Sequence, residues 1–509
     1  MSHRRASFML RAMQMLIGDV FRRNAEVVPD AVAASLGERR LTHGELERQG
    51  GQLANVLRDR GIERGDRVVT WADTRLDVLP LFVALARLGA VFAPLNARFG
   101  AREVTDVARL ARAKLLVADP ERAVDAADVA KAAGIPDVAR LGSTDGPGLD
   151  LDAARAAAPT DAPACDGLRE TDPHVIFFTS GSTGRPKGVV LSHRANYLRS
   201  YQGVFQDVPE KSVCMFPLFH MAAFTLGLAA WQTRGELALV ASATAEEVLA
   251  AVERRRANRL YCIPAVWARI LAVDPARFDT SSLRFVDTGT SATPIELVRA
   301  LKERFPGTAT RIYYGSTEVG SGTTLPDARV LDKPGSVGPA SPGVDLRLSD
   351  DGEILLRSPY LFDGYFDAPE TTAEVLRDGW FHTGDLGALD DEGFLQVVGR
   401  RKELIRTGGE SVAPAEVEAV LAEHPDVAEV AVVGMPDAEW GEVVCAAVVA
   451  RPGAAPDLAS LQAFCDDRLA GFKKPRRLEI VAELPRTSAT GQVQRTLLVD
   501  RLATRAVME

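Results

Sequence analysis

A run of glycine and hydroxyl side chains, TSGSTGRPKG at residues 179–188, follows the apolar segment Val175–Phe178. The apolar segment predicts a buried strand, and glycines just after a strand let backbone N–H groups approach an anion closely. Hydroxyls and one ammonium group supply further donors, as a triphosphate requires. The pattern is not the Walker loop, because no Gly-Lys-Ser/Thr follows, and a flexible surface loop is the alternative interpretation. The predicted phosphate contacts are Thr179, Ser180, Gly181, Ser182, Thr183 and Lys187.

Short β-rich runs alternate with longer helical patterns in the first part of the chain. Arg67–Trp71 predicts a strand, Val78–Leu88 a helix and Lys114–Ala118 the next strand. This alternation predicts βαβ units, with helices on both faces of parallel sheets. Residues 136–171 are rich in Pro, Gly, Asp and Ala, which indicates a surface connection between two subdomains.

The remainder of the chain divides into three parts. A second α/β stretch covers 174 to about 325, and the glycine-punctuated stretch 335–398 predicts a small β-rich subdomain. From residue 403 a compact α+β set follows, which we expect to form a mobile lid of about 100 residues. Its predicted elements are helices at Ala415–Ala422 and Asp457–Leu469 and strands at Val427–Val433 and Val443–Ala450.

The fold class is therefore α/β, with a large N-terminal domain of stacked βαβ subdomains, a small β-rich subdomain and the C-terminal lid. We expect the N-terminal domain to cover 1–401, with subdomains at about 1–171, 172–330 and 331–401, and the lid to cover 402–509. A chain of 509 residues is too long for one compact core.

Charge and composition exclude several classes of function. The formal net charge of −9 gives no support to nucleic-acid binding, which usually needs a basic face. No run of about 18 apolar residues predicts a membrane span, so no stable membrane insertion is expected. The five cysteines are scattered without a CxxC pair, which is typical of reduced residues in a soluble, cytoplasmic protein.

The loop at 179–188 resembles the phosphate loop of the adenylate-forming superfamily, which includes acyl-CoA synthetases, peptide-synthetase adenylation domains and firefly luciferase. Other stretches resemble further motifs of this superfamily in the same order, over about residues 17 to 500. These stretches are Pro217-Leu218-Phe219-His220, Tyr314-Gly315-Ser316-Thr317-Glu318, Trp380-Phe381-His382-Thr383-Gly384-Asp385, Gly399-Arg400-Arg401-Lys402-Glu403 and Gly408-Gly409-Glu410.

The resemblance implies an acid–thiol ligase that uses ATP, Mg²⁺ and coenzyme A and acts through an acyl-AMP. It implies that Tyr314 stacks on adenine and that Thr317 binds the α-phosphate. Glu318 is the expected magnesium ligand, since this hard cation prefers oxygen. Asp385 and Arg400 are expected to bind the ribose. The other residues assigned to the nucleotide by the resemblance are Thr290, Ser291, Tyr313, Gly315, Ser316 and Val397.

The segment Thr288–Ala292 resembles the loop of the superfamily that flanks adenine and the acyl tunnel. A β-branched residue at Thr290 departs from the small residues found there and would narrow the tunnel. His220, Phe224 and Trp267 are expected to line the same tunnel, although His220 can equally be a packed histidine. These residues favour a compact or polycyclic carboxylic acid over a long straight chain.

One departure from the superfamily pattern bears on catalysis. The matching stretch of the C-terminal motif is Pro485 to Arg495, and its lysine position is occupied by Gln492. That lysine lies between a carboxylate and an α-phosphate, two anions that repel by roughly 1 to 4 kcal/mol at about 4 Å. Losing such a positioned charge costs roughly two to three orders of magnitude in rate. Arg495 lies three residues beyond the lysine position, so its side chain points in a different direction and is a poor substitute for the lysine.

The second half-reaction requires other residues, which are present. In the superfamily the lid rotates about a hinge, here Lys402, and a segment matching Gly408 and Gly409 then lines the path of the pantetheine thiol. The hypothesis is therefore that the chain transfers the acyl group from a preformed acyl-AMP, made by a separate adenylating enzyme, to coenzyme A. The alternatives are a complete ATP-dependent acyl-CoA synthetase, an adenylation module that loads a carrier protein, and a non-catalytic sensor of acyl-AMP.

Overall fold

A computed structural model describes residues 14–142, 146–180, 186–201, 208–487 and 491–508. The predicted phosphate contacts Gly181, Ser182 and Thr183 lie outside these residues. Within the described part, no helix is both long enough and apolar enough to span a bilayer.

The helices and strands follow one another as the α/β pattern predicts. The helices are α1 (Ile17–Val27), α2 (His43–Asp59), α3 (Val78–Leu88), α4 (Ala101–Leu110), α5 (Ala123–Ala133), α6 (Leu151–Ala157), α7 (His193–Ser200), α8 (Met221–Gln232), α9 (Ala245–Arg255), α10 (Pro264–Leu271), α11 (Ile295–Arg304), α12 (Pro369–Val375), α13 (Pro414–Leu421), α14 (Leu458–Phe464) and α15 (Arg495–Met508).

The strands fall into four sheets. In chain order they are β1 (Val32–Leu36), β2 (Arg39–Thr42), β3 (Arg67–Trp71), β4 (Val91–Leu95), β5 (Leu115–Ala118), β6 (Asp137–Arg140), β7 (Leu149–Asp150), β8 (Pro173–Ser180), β9 (Pro186–Ser192), β10 (Lys211–Cys214), β11 (Glu236–Leu239), β12 (Arg259–Tyr261), β13 (Phe285–Gly289), β14 (Ala309–Ser316), β15 (Gly320–Leu325), β16 (Ser336–Gly338), β17 (Asp345–Leu348), β18 (Glu353–Arg357), β19 (Gly364–Tyr365), β20 (Leu376–Arg377), β21 (Trp380–Leu389), β22 (Leu395–Arg400), β23 (Ile405–Thr407), β24 (Glu410–Val412), β25 (Val427–Asp437), β26 (Gly441–Ala450) and β27 (Arg477–Ile480).

Two largely parallel sheets form the N-terminal domain. Sheet 1 has the strand order β19-β9-β8-β4-β3-β5-β6-β7, and sheet 2 has the order β15-β14-β13-β12-β10-β11-β1-β2. In sheet 2 the neighbours from β1 to β14 are parallel, while β2 and β15 are antiparallel edge strands. The carboxyl ends of β10, β12, β13 and β14 therefore meet at one edge of sheet 2.

An aromatic cluster joins helices of the two sheets. Phe82 on α3 stacks on Phe224 of α8, with ring centroids 4.6 Å apart. Phe21 on α1 contacts both Phe82 and Trp231, and Trp231 donates from Nε1 to the carbonyl of Ala33 on β1. Burial of these rings removes a large apolar area from water and fixes the two sheets relative to each other.

Sheets 1 and 2 do not follow the expected subdomain boundary near residue 171. Strands β1 and β2, from the first segment, lie in sheet 2, while β8 and β9, from the second, lie in sheet 1. The predicted surface connection at 136–171 contains β6, β7 and α6, and its strands extend the edge of sheet 1. Strand pairing joins residues distant in sequence, so local composition does not reveal these exchanges.

The C-terminal part contains sheet 3, which is antiparallel (β16-β22-β21-β18-β17 with β20), and sheet 4, which forms the lid (β24-β23-β26-β25 with β27). Helix α13 packs on β25, and Val432 and Val444 lie in a separate apolar core of the lid. The helix predicted at Asp457–Leu469 is shorter in the structure, where α14 covers Leu458–Phe464.

Two buried histidines lie at the start of β8, the strand that precedes the phosphate loop, and at the start of α7. The rings of His174 and His193 are 4.6 Å apart, and His193 Nδ1 accepts a hydrogen bond from the backbone N–H of Ile17. Burial lowers the pKa of His193 to about 4, and burial together with His193 lowers that of His174 well below its usual value. Both rings are therefore neutral at neutral pH.

These histidines predict an acid-labile fold. In the unfolded chain a histidine binds a proton below about pH 6.5, whereas the folded His193 does not until about pH 4, so stability falls as the pH drops through this window. We expect the free energy of unfolding to decrease by about 1 kcal/mol for each such histidine between about pH 7.5 and 5.5. Denaturant titrations at intermediate pH values measure this slope, and a pH-independent free energy of unfolding contradicts the prediction.

Candidate active site

The carboxyl edge of sheet 2 gathers the predicted site residues. Strand β12 ends at Tyr261, and β13 ends at Gly289, just before Thr290. Strand β14 ends at Ser316, just before Thr317. The register places Gly289 beside Tyr313 on the adjacent strand. Open α/β sheets bind ligands outside the carboxyl ends of their strands, which makes this edge the candidate active site.

Strands β14 and β15 form a hairpin whose turn carries Thr317 and Glu318. The hairpin needs glycine at its base, because a Cβ at Gly315 would lie 1.8 Å from the carbonyl oxygen of Gly320. Tyr314, on the strand before the turn, donates from its hydroxyl to Asp385 Oδ2 at 2.7 Å. The predicted adenine and ribose residues are therefore adjacent.

Sheet 3 positions Asp385 and Arg400 on paired strands. Asp385 lies directly across from Arg400, and its Oδ1 is 3.2 Å from the Nε of that arginine. Burial raises the pKa of Asp385, although Arg400 and the Tyr314 hydroxyl lower it. Val397, on the same strand as Arg400, is half-buried. A carboxylate has further lone pairs for hydroxyl donors, so the group fits a ribose.

Tyr365 contacts both Glu318 and the lysine of the phosphate loop. Glu318 Oε1 accepts a 2.9 Å hydrogen bond from the Tyr365 hydroxyl, and Lys187 Nζ lies 4.9 Å from the centre of the Tyr365 ring. No group of three or more His, Cys, Asp or Glu among the described residues could hold a metal. One carboxylate fits a magnesium ion that takes its other ligands from phosphates and water.

Thr290 holds an unusual backbone conformation at the predicted acyl tunnel. Its φ is 74°, in the left-handed region that a β-branched residue rarely adopts. Its hydroxyl is 3.3 Å from that of Tyr261, whose ring packs against Phe216 and Tyr313. Thr290 and Tyr261 therefore contact each other where β12 and β13 end.

The structure places the other predicted tunnel residues differently. His220 caps α8 and is partly exposed; its Nδ1 accepts from the N–H of Ala222, and burial lowers its pKa to about 4. Phe224 is 2% exposed within the aromatic cluster. Trp267 has no exposed surface, and its Nε1 donates to the carbonyl of Asp287. Phe224 and Trp267 are therefore packed in the core, and their role in an acyl tunnel stays a prediction.

Gln492 reaches from the lid into the candidate site. Its Nε2 donates to the carbonyl oxygen of Thr290 at 2.9 Å, and Gly491 lies against Ile263. Arg495 points elsewhere: it forms ion pairs with Glu403 at 2.9 Å and Glu418 at 2.7 Å inside the lid. The group that the lid presents to the site is therefore a neutral amide.

The contacts on either side of Lys402 fit a hinge. Arg401 pairs with Glu353 of sheet 3 at 3.2 Å, while Glu403 pairs with Arg495 of the lid. Lys402 itself is exposed. The two flanking residues are thus held by different domains, and rotation at Lys402 can leave both ion pairs in place.

Gly408 and Gly409 lie in the β23–β24 hairpin of the lid. Both have positive φ, 57° and 87°, and a Cβ at Gly408 would lie 2.6 Å from Trp440. A Cβ at Gly409 would meet no heavy atom within 4 Å. The described contacts thus bring Gln492, and neither of these glycines, to the carboxyl edge of sheet 2.

Three residues of the site have no counterpart in the sequence-based prediction. They are Tyr261, Tyr365 and the buried Arg199, whose Nη1 donates to the carbonyl of Thr317 at 3.1 Å. Each reaches the site from an element outside the recognised motifs, and no local pattern distinguishes it from an ordinary core or surface residue.

Comparison with known proteins gives consistent results along the chain. The profile described as AMP-binding enzyme matches residues 21–366, and that described as AMP-binding enzyme C-terminal domain matches 416–490. The chain is 38% identical to a feruloyl-CoA synthase of Amycolatopsis sp over 92% of its length and 96% of that protein.

Two further relatives are similar over nearly the whole chain. A 3-[(3aS,4S,7aS)-7a-methyl-1,5-dioxo-octahydro-1H-inden-4-yl]propanoyl:CoA ligase of Mycobacterium tuberculosis is 36% identical, covering 92% of this chain and 96% of its own. The structure of ATP-bound MatB from Rhodopseudomonas palustris superposes with a TM-score of 0.86 at 31% identity, covering 96% of this chain and 99% of its own.

The left-handed backbone at Thr290 predicts a difference between two small substitutions. Only glycine adopts a φ of 74° without strain, so Thr290→Gly should be more stable than Thr290→Ala by about 1 kcal/mol. Both variants lose the hydroxyl contact with Tyr261, so the free energy of this contact cancels when the two variants are compared. The exposed neighbour Ser291 is the control, where alanine should be at least as stable as glycine. Equal unfolding free energies for the two Thr290 variants contradict the prediction.

Proposed function

This chain belongs to the AMP-binding enzyme family and is an acyl-CoA ligase of the adenylate-forming type, and from this premise we propose that it carries out mainly the thioester-forming half-reaction. In that reaction acyl-AMP and coenzyme A give acyl-CoA and AMP. The sulfur bonds to the acyl carbon, the bond from that carbon to the phosphate oxygen breaks, and AMP leaves with the electron pair as the thiol proton is released.

The observation that carries the proposal is the contact of Gln492 with Thr290. The amide of Gln492 donates to a carbonyl of the protein. We infer that this lid position faces the place where a carboxylate approaches an anionic phosphate, because the resemblance assigns the adenylating lysine to it. A neutral amide that is already hydrogen-bonded does not offset repulsion between two anions. Arg495, the nearby basic side chain, is held by Glu403 and Glu418.

The groups that bind AMP do not depend on residue 492. Tyr314, Asp385 and Arg400 form one connected cluster at the nucleotide side of the site. We propose that they hold the AMP part of acyl-AMP, and that Thr317 and Lys187 contact its phosphate. Glu318 serves a magnesium ion if ATP-dependent adenylation is retained, in which case ATP is also a substrate.

The lid must change position for the second half-reaction. We propose that rotation at Lys402 withdraws Gln492 and brings Gly408 and Gly409 to the site, where small residues leave room for the pantetheine thiol. The ion pairs of Arg401 with Glu353 and of Glu403 with Arg495 support this hinge, because each is internal to one domain.

This proposal implies a separate adenylating enzyme that supplies the acyl-AMP in the cytoplasm. The loss of the adenylating lysine is the feature in which the sequence resembles the non-adenylating acyl-CoA ligase of platensimycin-type diterpenoid biosynthesis. A role in antibiotic biosynthesis rests on that single residue, Gln492.

For the substrate we propose a compact cyclic carboxylic acid. Thr290 and Tyr261 contact each other at the ends of β12 and β13, and Phe224 and Trp267 are buried, which supports a compact acyl group over a long chain. The two similar ligases of Amycolatopsis and Mycobacterium tuberculosis are named for acyl groups that contain rings.

Separate assays of the two half-reactions test the catalytic proposal. The unaltered protein with ATP and cyclic acids should give almost no acyl-AMP, while synthetic acyl-AMP with coenzyme A should give thioester. Gln492→Lys should raise the rate of adenylation by roughly 100-fold or more and leave thioester formation within about twofold.

The matched control for this experiment is Gln494→Lys, which adds the same charge at an exposed position of the same loop. It should not raise adenylation. Rapid ATP-dependent pyrophosphate release by the unaltered protein would instead identify a complete acyl-CoA synthetase. Transfer to a carrier protein without free coenzyme A would identify a loading module, and tight binding of acyl-AMP without turnover a sensor.

A comparison of cyclic and straight-chain acyl groups, which differ in width, tests the proposed substrate class. The unaltered protein should convert cyclic acyl-AMPs faster than a straight-chain acyl-AMP of about ten carbons. Thr290→Gly should reduce this preference by about tenfold, because removing one β-branched side chain from a pocket is worth roughly 1 to 3 kcal/mol. Equal kcat/KM values for both acyl classes in the unaltered protein contradict the proposal.

A further inference from the structure

Arg199 is a buried cation directly beneath the turn that carries Thr317 and Glu318. It lies in the last turn of α7 and is 3% exposed. Its Nη1 donates to the carbonyl of Thr317 at 3.1 Å and its Nη2 to that of Tyr360 at 2.7 Å. Gly320, on the far side of the turn, has a φ of 71°, a conformation that favours glycine.

The charge of Arg199 is not balanced by an ion pair within the described residues. Both of its hydrogen bonds go to carbonyl oxygens, and its Nε has no partner there. Asp363 and Glu318 act on it through space, and Asp363 already accepts a 2.6 Å hydrogen bond from the backbone N–H of Ser192. Burial lowers the pKa of Arg199 to about 10, so the guanidinium remains charged at neutral pH.

A buried charge without a close partner is costly and tends to occur where a ligand uses it. Elsewhere in the same domain the buried Arg259 is paired with Glu210 at 3.0 Å and with Asp287, which is the arrangement expected of a structural arginine. Arg199 differs because its hydrogen bonds lead to the backbone of the turn at the nucleotide side of the site.

We propose that Arg199 is a positioning residue, which holds the 317–318 turn and supplies a fixed positive charge for the phosphate of AMP or acyl-AMP bound on the other face of that turn. The inference takes the location of the nucleotide from the proposed function. It does not depend on which half-reaction the protein catalyses. Arg199 lies wholly within the N-terminal domain, so its charge stays in place whichever lid position is adopted.

This role explains how a chain with a neutral residue at position 492 retains an anionic intermediate. Position 492 belongs to the lid and leaves the site when the lid rotates, whereas α7 is packed on α8 in the N-terminal core. The electrostatic stabilisation of the phosphate thus comes from a part of the molecule that does not move during the cycle.

Binding of AMP and adenosine to the full chain tests the proposal, because these two ligands differ only in the phosphate. Arg199→Gln, which keeps an amide donor but no charge, should weaken AMP binding about 10- to 100-fold and change adenosine binding by less than about twofold. Arg199→Lys should retain most of the AMP affinity. Equal losses for both ligands, or no loss of AMP affinity, overturn the proposal in favour of a structural role.

A measurement on the unaltered protein covers the case in which Arg199→Gln does not fold. Phosphorus NMR of bound AMP should show the second phosphate pKa below its free value of about 6, because a nearby cation favours the dianion. A bound phosphate that titrates as in free AMP overturns the proposal. Thioester formation from acyl-AMP is measured in parallel: if it fails while AMP binding depends on Arg199, the proposed function is wrong and this inference stands.

Discussion

The site depends on the parallel order of the central strands of sheet 2. Because β12, β13 and β14 run in the same direction, their carboxyl ends meet at one edge and bring Tyr261, Thr290 and Tyr314 together. The antiparallel turn into β15 then places Thr317 and Glu318 beside them. Every other element of the site, including sheet 3 and the lid, adds a group to this edge.

Charge around that edge is divided between a fixed and a mobile part. The N-terminal domain holds Arg199 beneath the turn and Lys187 over the ring of Tyr365, and Arg400 of sheet 3 pairs with Asp385. The lid contributes the amide of Gln492 and keeps the charge of Arg495 within its own ion pairs. At this edge the positive charges of Arg199, Lys187 and Arg400 therefore belong to the N-terminal domain, whereas the lid contributes a neutral amide.

Local patterns predicted many elements within one or two residues. Arg67–Trp71 and Val78–Leu88 have the predicted bounds, because hydrophobic periodicity and glycine punctuation are properties of short segments. The helix predicted at Asp457–Leu469 is too long, since α14 ends at Phe464 and Asp467 has a φ of 60°, outside the helical region. The burial of Phe224 and Trp267 could not be predicted, because the direction of a side chain depends on neighbours distant in sequence, and their role in the tunnel stays a prediction.

The sequence by itself determined the α/β class and the order of the motifs, because both are read from short segments of the chain. The absence of an adenylating lysine at Gln492 stays a prediction from the same segments. Only the tertiary structure decided that strands are exchanged between sheets 1 and 2 and that Tyr365 bonds to Glu318. It also decided that the unpaired charge of Arg199 lies beneath Thr317. These contacts join residues that are 47 and 118 positions apart, and no local pattern encodes the distance between such groups.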